Sequence, residues 1–208
     1  MAQSTTFFAS GELFAVARIL ATEAQTEPVK GLAVVPLSAA AFEAYVNDVG
    51  YWAGQVGQPH TDVWYSAELF TYADEARSST LARAELFSRA FIGTRPDRGS
   101  KSWQDLKLLF GVRDALMHRR PETWEHDPED PTEEIKYHRV ADELIRRGIA
   151  PAPVDSCPLP LTVTVAQPEV ARWAFNTAVR MVHEVTHLLP QSVRFIAFTG
   201  STSNIQVL

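Results

Sequence analysis

SWQDLKLLFGVRDALMHRRP, residues 102–121, places a charge in the middle of an apolar helical face. Leu106, Leu109, Phe110, Leu116 and Met117 recur at the three- and four-residue intervals that line one side of an α-helix. Arg113 projects from among them. Stranding its charge against an apolar surface costs on the order of several kcal/mol. It must therefore meet an acid, line a wet cleft or lie at an interface. Asp114 and His118, four positions apart, share the adjoining face. Pro121 disfavours helix at Arg120, so the helix is expected to end near His118. A cation is favoured at such a C-terminus, and imidazole is the side-chain type that titrates near neutrality. Arg113, Asp114 and His118 are expected to converge at this mouth of the helix.

A second stretch answers the first. In SAAAFEAYVNDVGYW, residues 38–52, Ala40, Ala41 and Ala44 line one side of a helix. Phe42, Tyr45, Val46, Val49 and Trp52 fill most of the other. A helix apolar nearly all round belongs at the centre of a bundle. Glu43 and Asn47, at i and i+4, form a narrow polar strip on it, and Glu43 is a natural partner for Arg113. Such a pair serves either as a buried ion pair that orders the bundle or as part of a reactive site.

Outward from these two segments the pattern is helical, with little period-2 alternation. A first helix is expected from Ser10, as N-cap, to about Ala24. A second runs from Gly31, with Pro36 kinking it or opening its main part. Further helices are expected at about 62–76, 79–92, 101–119, 131–147 and 168–189. The acidic, proline-bearing segment at about 121–134 and the segment 151–168 are loops. Within the latter, LTVTV suggests a short edge strand. With no repeat or low-complexity tract, residues 1–208 form one all-α domain.

The composition is that of a soluble globular protein: 46% apolar and 21% charged residues over 208 positions. One cysteine, Cys157, excludes an internal disulfide framework and suits a reducing compartment. The start lacks a basic n-region, and Glu12 and Arg18 interrupt its apolar run. Neither a signal peptide nor a membrane span is expected, and the compartment is expected to be cytoplasmic. The net charge of −6 argues against a general nucleic-acid coat, yet residues 76–120 hold ten Lys/Arg against four Asp/Glu. That block either faces a polyanion or is a solvated helical surface.

HEVTH, residues 183–187, matches the H-E-x-x-H spacing of zinc peptidases, in which two histidines bind the metal and the glutamate activates its water. No His, Asp, Glu or Cys follows His187 to supply a third ligand. Ala171, Ala174, Ala178, Val182, Val185 and Leu189 form the apolar stripe of this helix. His183 and His187 fall opposite, beside Arg172, Asn176 and Arg180, whose charges oppose a dication. Glu184 stands four after Arg180, well placed for an ion pair. His183, Glu184 and His187 thus read as a polar helix face that spells the motif by accident. No metal or other cofactor is expected.

Residues 38–52 and 102–121 together resemble the HEPN family of small helical domains. The resemblance rests on Arg113-Asp114-x-x-x-His118, similar to the family's R-x4–6-H pattern, and on AAAFEAYVND, similar to its acid-bearing helix. It covers roughly residues 10–120, with the helix at about 168–189 completing the bundle. It implies an antiparallel up-and-down bundle, here with additional C-terminal helices, that dimerises around one cleft. It further implies metal-independent RNA cleavage of the toxin, defence or RNA-processing kind, with Arg113 and His118 as the catalytic pair. Glu43 would be a cleft acid that orients Arg113 or His118. Asp114 stands where asparagine is frequent and brings a negative charge to a phosphate site. Arg119 and Arg120 would hold flanking RNA phosphates, or form a solvated helix end, and Asn47 would line the RNA cleft. Some members have instead lost catalysis and bind nucleotide, RNA or a protein partner such as an antitoxin. A zinc hydrolase acting through HEVTH is a distant third expectation.

Overall fold

The computed structural model describes residues 9–56, 62–92, 96–118, 138–152, 159–189, 191 and 205–208. They form α1 (Ala9–Glu23), a 3-10 turn (Pro28–Lys30), α2 (Gly31–Val56), α3 (Asp62–Glu75) and α4 (Thr80–Ile92). There follow α5 (Lys101–Met117), α6 (Arg139–Arg146), α7 (Leu161–Val165) and α8 (Pro168–Leu188). Among the described residues there is no strand, and the all-α expectation holds.

The alanine-rich helix α2 is central because almost every side of it is apolar. Its 26 residues run unbroken through Pro36. It packs most extensively on α1 and α8, then on α3 and α5. Ala39, Ala41, Phe42, Tyr45, Val46 and Val49 are all buried. Each fully buried large side chain among them contributes about 1.5–3 kcal/mol of transfer free energy. Edge-on ring contacts fix the neighbours: Phe42 meets Phe110 of α5 at 6.4 Å, and Phe14 of α1 meets Phe175 of α8 at 6.4 Å. The stretch Pro28–Gln55 is long and apolar enough, by length and composition, to cross a membrane. Half of that stretch is buried inside the fold, as the core helix of a bundle is, so it is weak evidence for a membrane span.

Several boundaries depart from expectation. LTVTV is a helical turn, α7, not an edge strand: Leu161, Thr164 and Val165 turn inward together, and no strand lies among the described residues to pair with. Ser10 lies inside α1 and is buried, so it is not an N-cap. Met117 is 66% exposed although it belongs to the apolar face read for α5, because the last turn of that helix extends beyond the core. The expected helix at 131–147 is described from Arg139, with His138 as its N-cap; residues 131–137, the whole acidic segment and Cys157 lie outside the described residues. α6 ends at a left-handed Gly148 (φ +66°), where the Ile149 N–H returns to the Leu144 carbonyl. An L-residue there meets the steric cost that glycine avoids.

Among the described residues, half of the ten cations of the basic block pair with acids. Arg98 and Arg89 meet Glu85, Lys101 meets Asp105, and Arg83 and Arg113 meet Glu43. Asp105, its side chain only 4% exposed, also receives Arg147 and so ties α6 to α5. Arg98 and then Arg89 hold the Glu85 carboxyl below the ordinary carboxylate range.

Asp48 is the opposite case. Burial against α1 raises its pKa from the ordinary 3.8, only partly offset by hydrogen bonds from the Ser10 hydroxyl and backbone N–H. Its Oδ2 is buried with no hydrogen-bond partner. Because the folded pKa exceeds the unfolded one, the folded state binds the proton more tightly. The resulting stabilisation is complete below the unfolded pKa and is lost as pH rises through the folded value. Asp48→Asn, measured by urea unfolding, should therefore gain stability relative to the parent as pH climbs from below 3.8 towards neutrality. A difference independent of pH would contradict this assignment.

Candidate functional site

The polar strip of α2 has two cationic neighbours where one was expected. Glu43 accepts from Arg83 Nη2 through Oε1 at 2.9 Å, and from Arg113 Nη1 through Oε2 at 3.4 Å. One turn along α2, Asn47 Oδ1 accepts from Arg83 Nη1 at 2.6 Å. Arg83 thus spans both members of the i, i+4 strip from α4. Its side chain is 8% exposed, against 34% for that of Glu43. The sequence reading missed Arg83. Its signal was the surrounding Thr80, Ala84 and Ser88, a face small enough to seat a long side chain; all three are buried.

Arg113 resolves its position on the apolar face through its stem and its ring neighbour. The guanidinium carbon lies 4.7 Å from the Phe110 ring centroid, a cation–π contact. The outer edge of the group, Nε and Nη2, donates to a single Asp114 oxygen at 2.9 and 2.7 Å. The Asp114 side chain is 57% exposed, so this pairing is worth about 0–1 kcal/mol. Two guanidinium groups and two carboxylates make the cluster formally neutral. An incoming phosphate gains the bidentate edge of Arg113 only by displacing Asp114.

His118 is the C-cap of α5. Its backbone N–H donates to the Asp114 carbonyl, and its side chain is exposed. Five positions separate it from Arg113, about 140° around the helix. Among the described residues its ring makes no hydrogen bond with Arg113, Asp114 or Glu43. The structure therefore brings together Glu43, Asn47, Arg113 and Asp114, with His118 on an adjoining side at the helix mouth. Arg119 and Arg120 lie outside the described residues.

The HEVTH segment holds structure. Thr186 turns inward, donates to the Val182 carbonyl and receives the buried Tyr45 hydroxyl at 2.6 Å. That bond fastens α2 to α8, and burial pushes the Tyr45 phenol well above its ordinary range. Glu184 accepts from Ser102 at the start of α5, not from Arg180, whose Nε turns back to the Asn176 carbonyl. His183 donates from Nε2 to the Ile205 carbonyl at 3.0 Å. Asn176 clasps Leu208 through both amide atoms, donating to its carbonyl at 3.0 Å and accepting from its N–H at 2.7 Å. Among the described residues no three His, Cys, Asp or Glu side chains gather to hold a metal ion. Tyr45→Phe should cost about 1 kcal/mol in chemical denaturation, the net value of one buried hydrogen bond. A loss below about 0.3 kcal/mol would mean the bond contributes no net stability.

No family model, no curated protein and no solved structure matches this chain.

Proposed function

We propose that this chain is a cytoplasmic, metal-independent endoribonuclease of HEPN type, acting as a homodimer whose two Arg113/His118 pairs face one cleft. The observation that supports it most is the presentation of Arg113. The guanidinium is backed by Phe110, steadied by Glu43 and closed at its outer edge only by the exposed carboxylate of Asp114.

Chemistry of this kind suits cleavage of RNA by its own 2′-hydroxyl. His118 takes the 2′ proton as the oxygen attacks the adjacent phosphorus. The Arg113 fork stabilises charge on the non-bridging oxygens. The 5′ oxygen leaves and is protonated by the second copy's imidazole. The products are a 2′,3′-cyclic phosphate and a 5′-hydroxyl, with no redox or metal step. The angular separation of Arg113 and His118 on one helix favours a site completed by a second copy.

The neutral balance of the cluster favours a second reading: a non-catalytic HEPN module that binds RNA, nucleotide or a protein partner. RNA incubated with the purified protein in EDTA separates the two. Fragments ending in 2′,3′-cyclic phosphate are expected. Intact RNA, with a ligand-induced rise in melting temperature that Arg113→Ala removes, would replace the nuclease by the binding module.

A further inference from the structure

Beside the charged cluster lies a cavity of about 320 Å³ lined by Asn47, Gly50, Tyr51, Phe70, Thr71 and Arg83. We infer that it is a nucleobase subsite, seating the base of the nucleotide whose phosphate meets Arg113; this rests on the proposed ribonuclease reading. Its size falls at the small end of ligand pockets, suited to one heteroaromatic ring.

Tyr51 and Phe70 supply the aromatic surface. Tyr51 is 46% exposed and stands at the rim, whereas Phe70 is buried at 6%. The wall formed by Phe70 depends on Gly50, where a Cβ would come within 2.8 Å of the ring. Aromatic walls hold bases of any sequence through their π faces.

The polar groups add direction. Arginine has only donors, so the Asn47 atom that meets Arg83 Nη1 is the oxygen. The amide is thereby oriented, and its Nδ2 is the atom left to donate to a ligand. The Thr71 hydroxyl donates to the Ala67 carbonyl and retains its lone pairs as acceptors. The cavity thus offers a donor and an acceptor flanking a ring, which a base edge matches and a simple hydrocarbon does not. Asn47 stands one turn from Glu43, about 6 Å along α2, so base and phosphate sites are neighbours. A larger cavity of about 610 Å³, between α1 and α8, contains none of the clustered residues.

Ligand-observed NMR with adenosine, guanosine, cytidine and uridine, each against the full chain, tests the pocket without a phosphate. At least one nucleoside should bind with a Kd on the order of 0.1–1 mM, the range open to a fragment of that size. Thr71→Phe fills the cavity from an exposed position, and Tyr51→Ala removes the rim; each should weaken binding at least about tenfold. Melting curves confirm that both variants fold. No binding by any nucleoside, or binding unaltered in both folded variants, overturns the subsite. RNA cleavage by wild type in the same preparation reads the nuclease separately. Nucleoside binding without cleavage supports the pocket and removes the nuclease; cleavage without nucleoside binding does the reverse.

Discussion

Purified His118→Ala protein should cleave RNA at least about a hundredfold more slowly than the parent, at an unchanged melting temperature. The ring is exposed at the end of α5, and the cap itself is made by backbone, so truncation leaves the helix end intact. Loss of rate would then be loss of a proton acceptor. Arg113→Ala should cost a similar factor, about 10²–10³, through the missing charge on the phosphorane. Its stability penalty stays near about 1 kcal/mol, since the ion pairs it breaks are partly solvated. Arg113→Lys keeps the charge but loses the planar fork, and should recover only a minor part of the rate. Activity of His118→Ala equal to the parent's would end the catalytic assignment of that residue.

The companion arginine should behave in the reverse way. Arg83→Ala is expected to destabilise the fold by about 3 kcal/mol, because it empties the site of a side chain only 8% exposed and removes its bonds to Glu43 and Asn47. For a chain of this length that lowers Tm by about 6–12 °C. Arg83→Met restores the stem's volume and should be markedly milder, with Glu43 turning to Arg113 and solvent. Two guanidinium groups share one carboxylate, yet one is 8% and the other 28% exposed; under the proposed function the first is scaffold and the second is the one open to a phosphate. Urea unfolding decides it: a loss under about 1 kcal/mol for Arg83→Ala would make the pair ornamental.

What could be read from the chain in advance follows from the range of each interaction. The buried stripe of α8 and the all-round apolarity of α2 were legible because helical periodicity is local. The Glu43–Arg113 contact was legible because a charge on an apolar face demands an opposite one. Arg83 was not, since the small face of Thr80, Ala84 and Ser88 can seat a long side chain without naming its partner. Only the three-dimensional meeting of α2 and α4 shows that the Glu43/Asn47 strip has room for a second donor. Ser10 was misassigned for a related reason: a small hydroxyl serves equally at a helix start or beneath a buried carboxylate, and Asp48 lies on another helix. LTVTV misled because β-branched alternation describes a strand only where a neighbour exists to share its ladder.

The Asn176 clasp on Leu208 copies one rung of a β-ladder with a side-chain amide. Such a rung reads main chain alone, so it accepts any residue at 208 that brings a peptide N–H. Proline is the exception: Leu208→Pro would leave Asn176 holding an oxygen with nothing returned, so that residue 208 is tied to α8 by one bond in place of two.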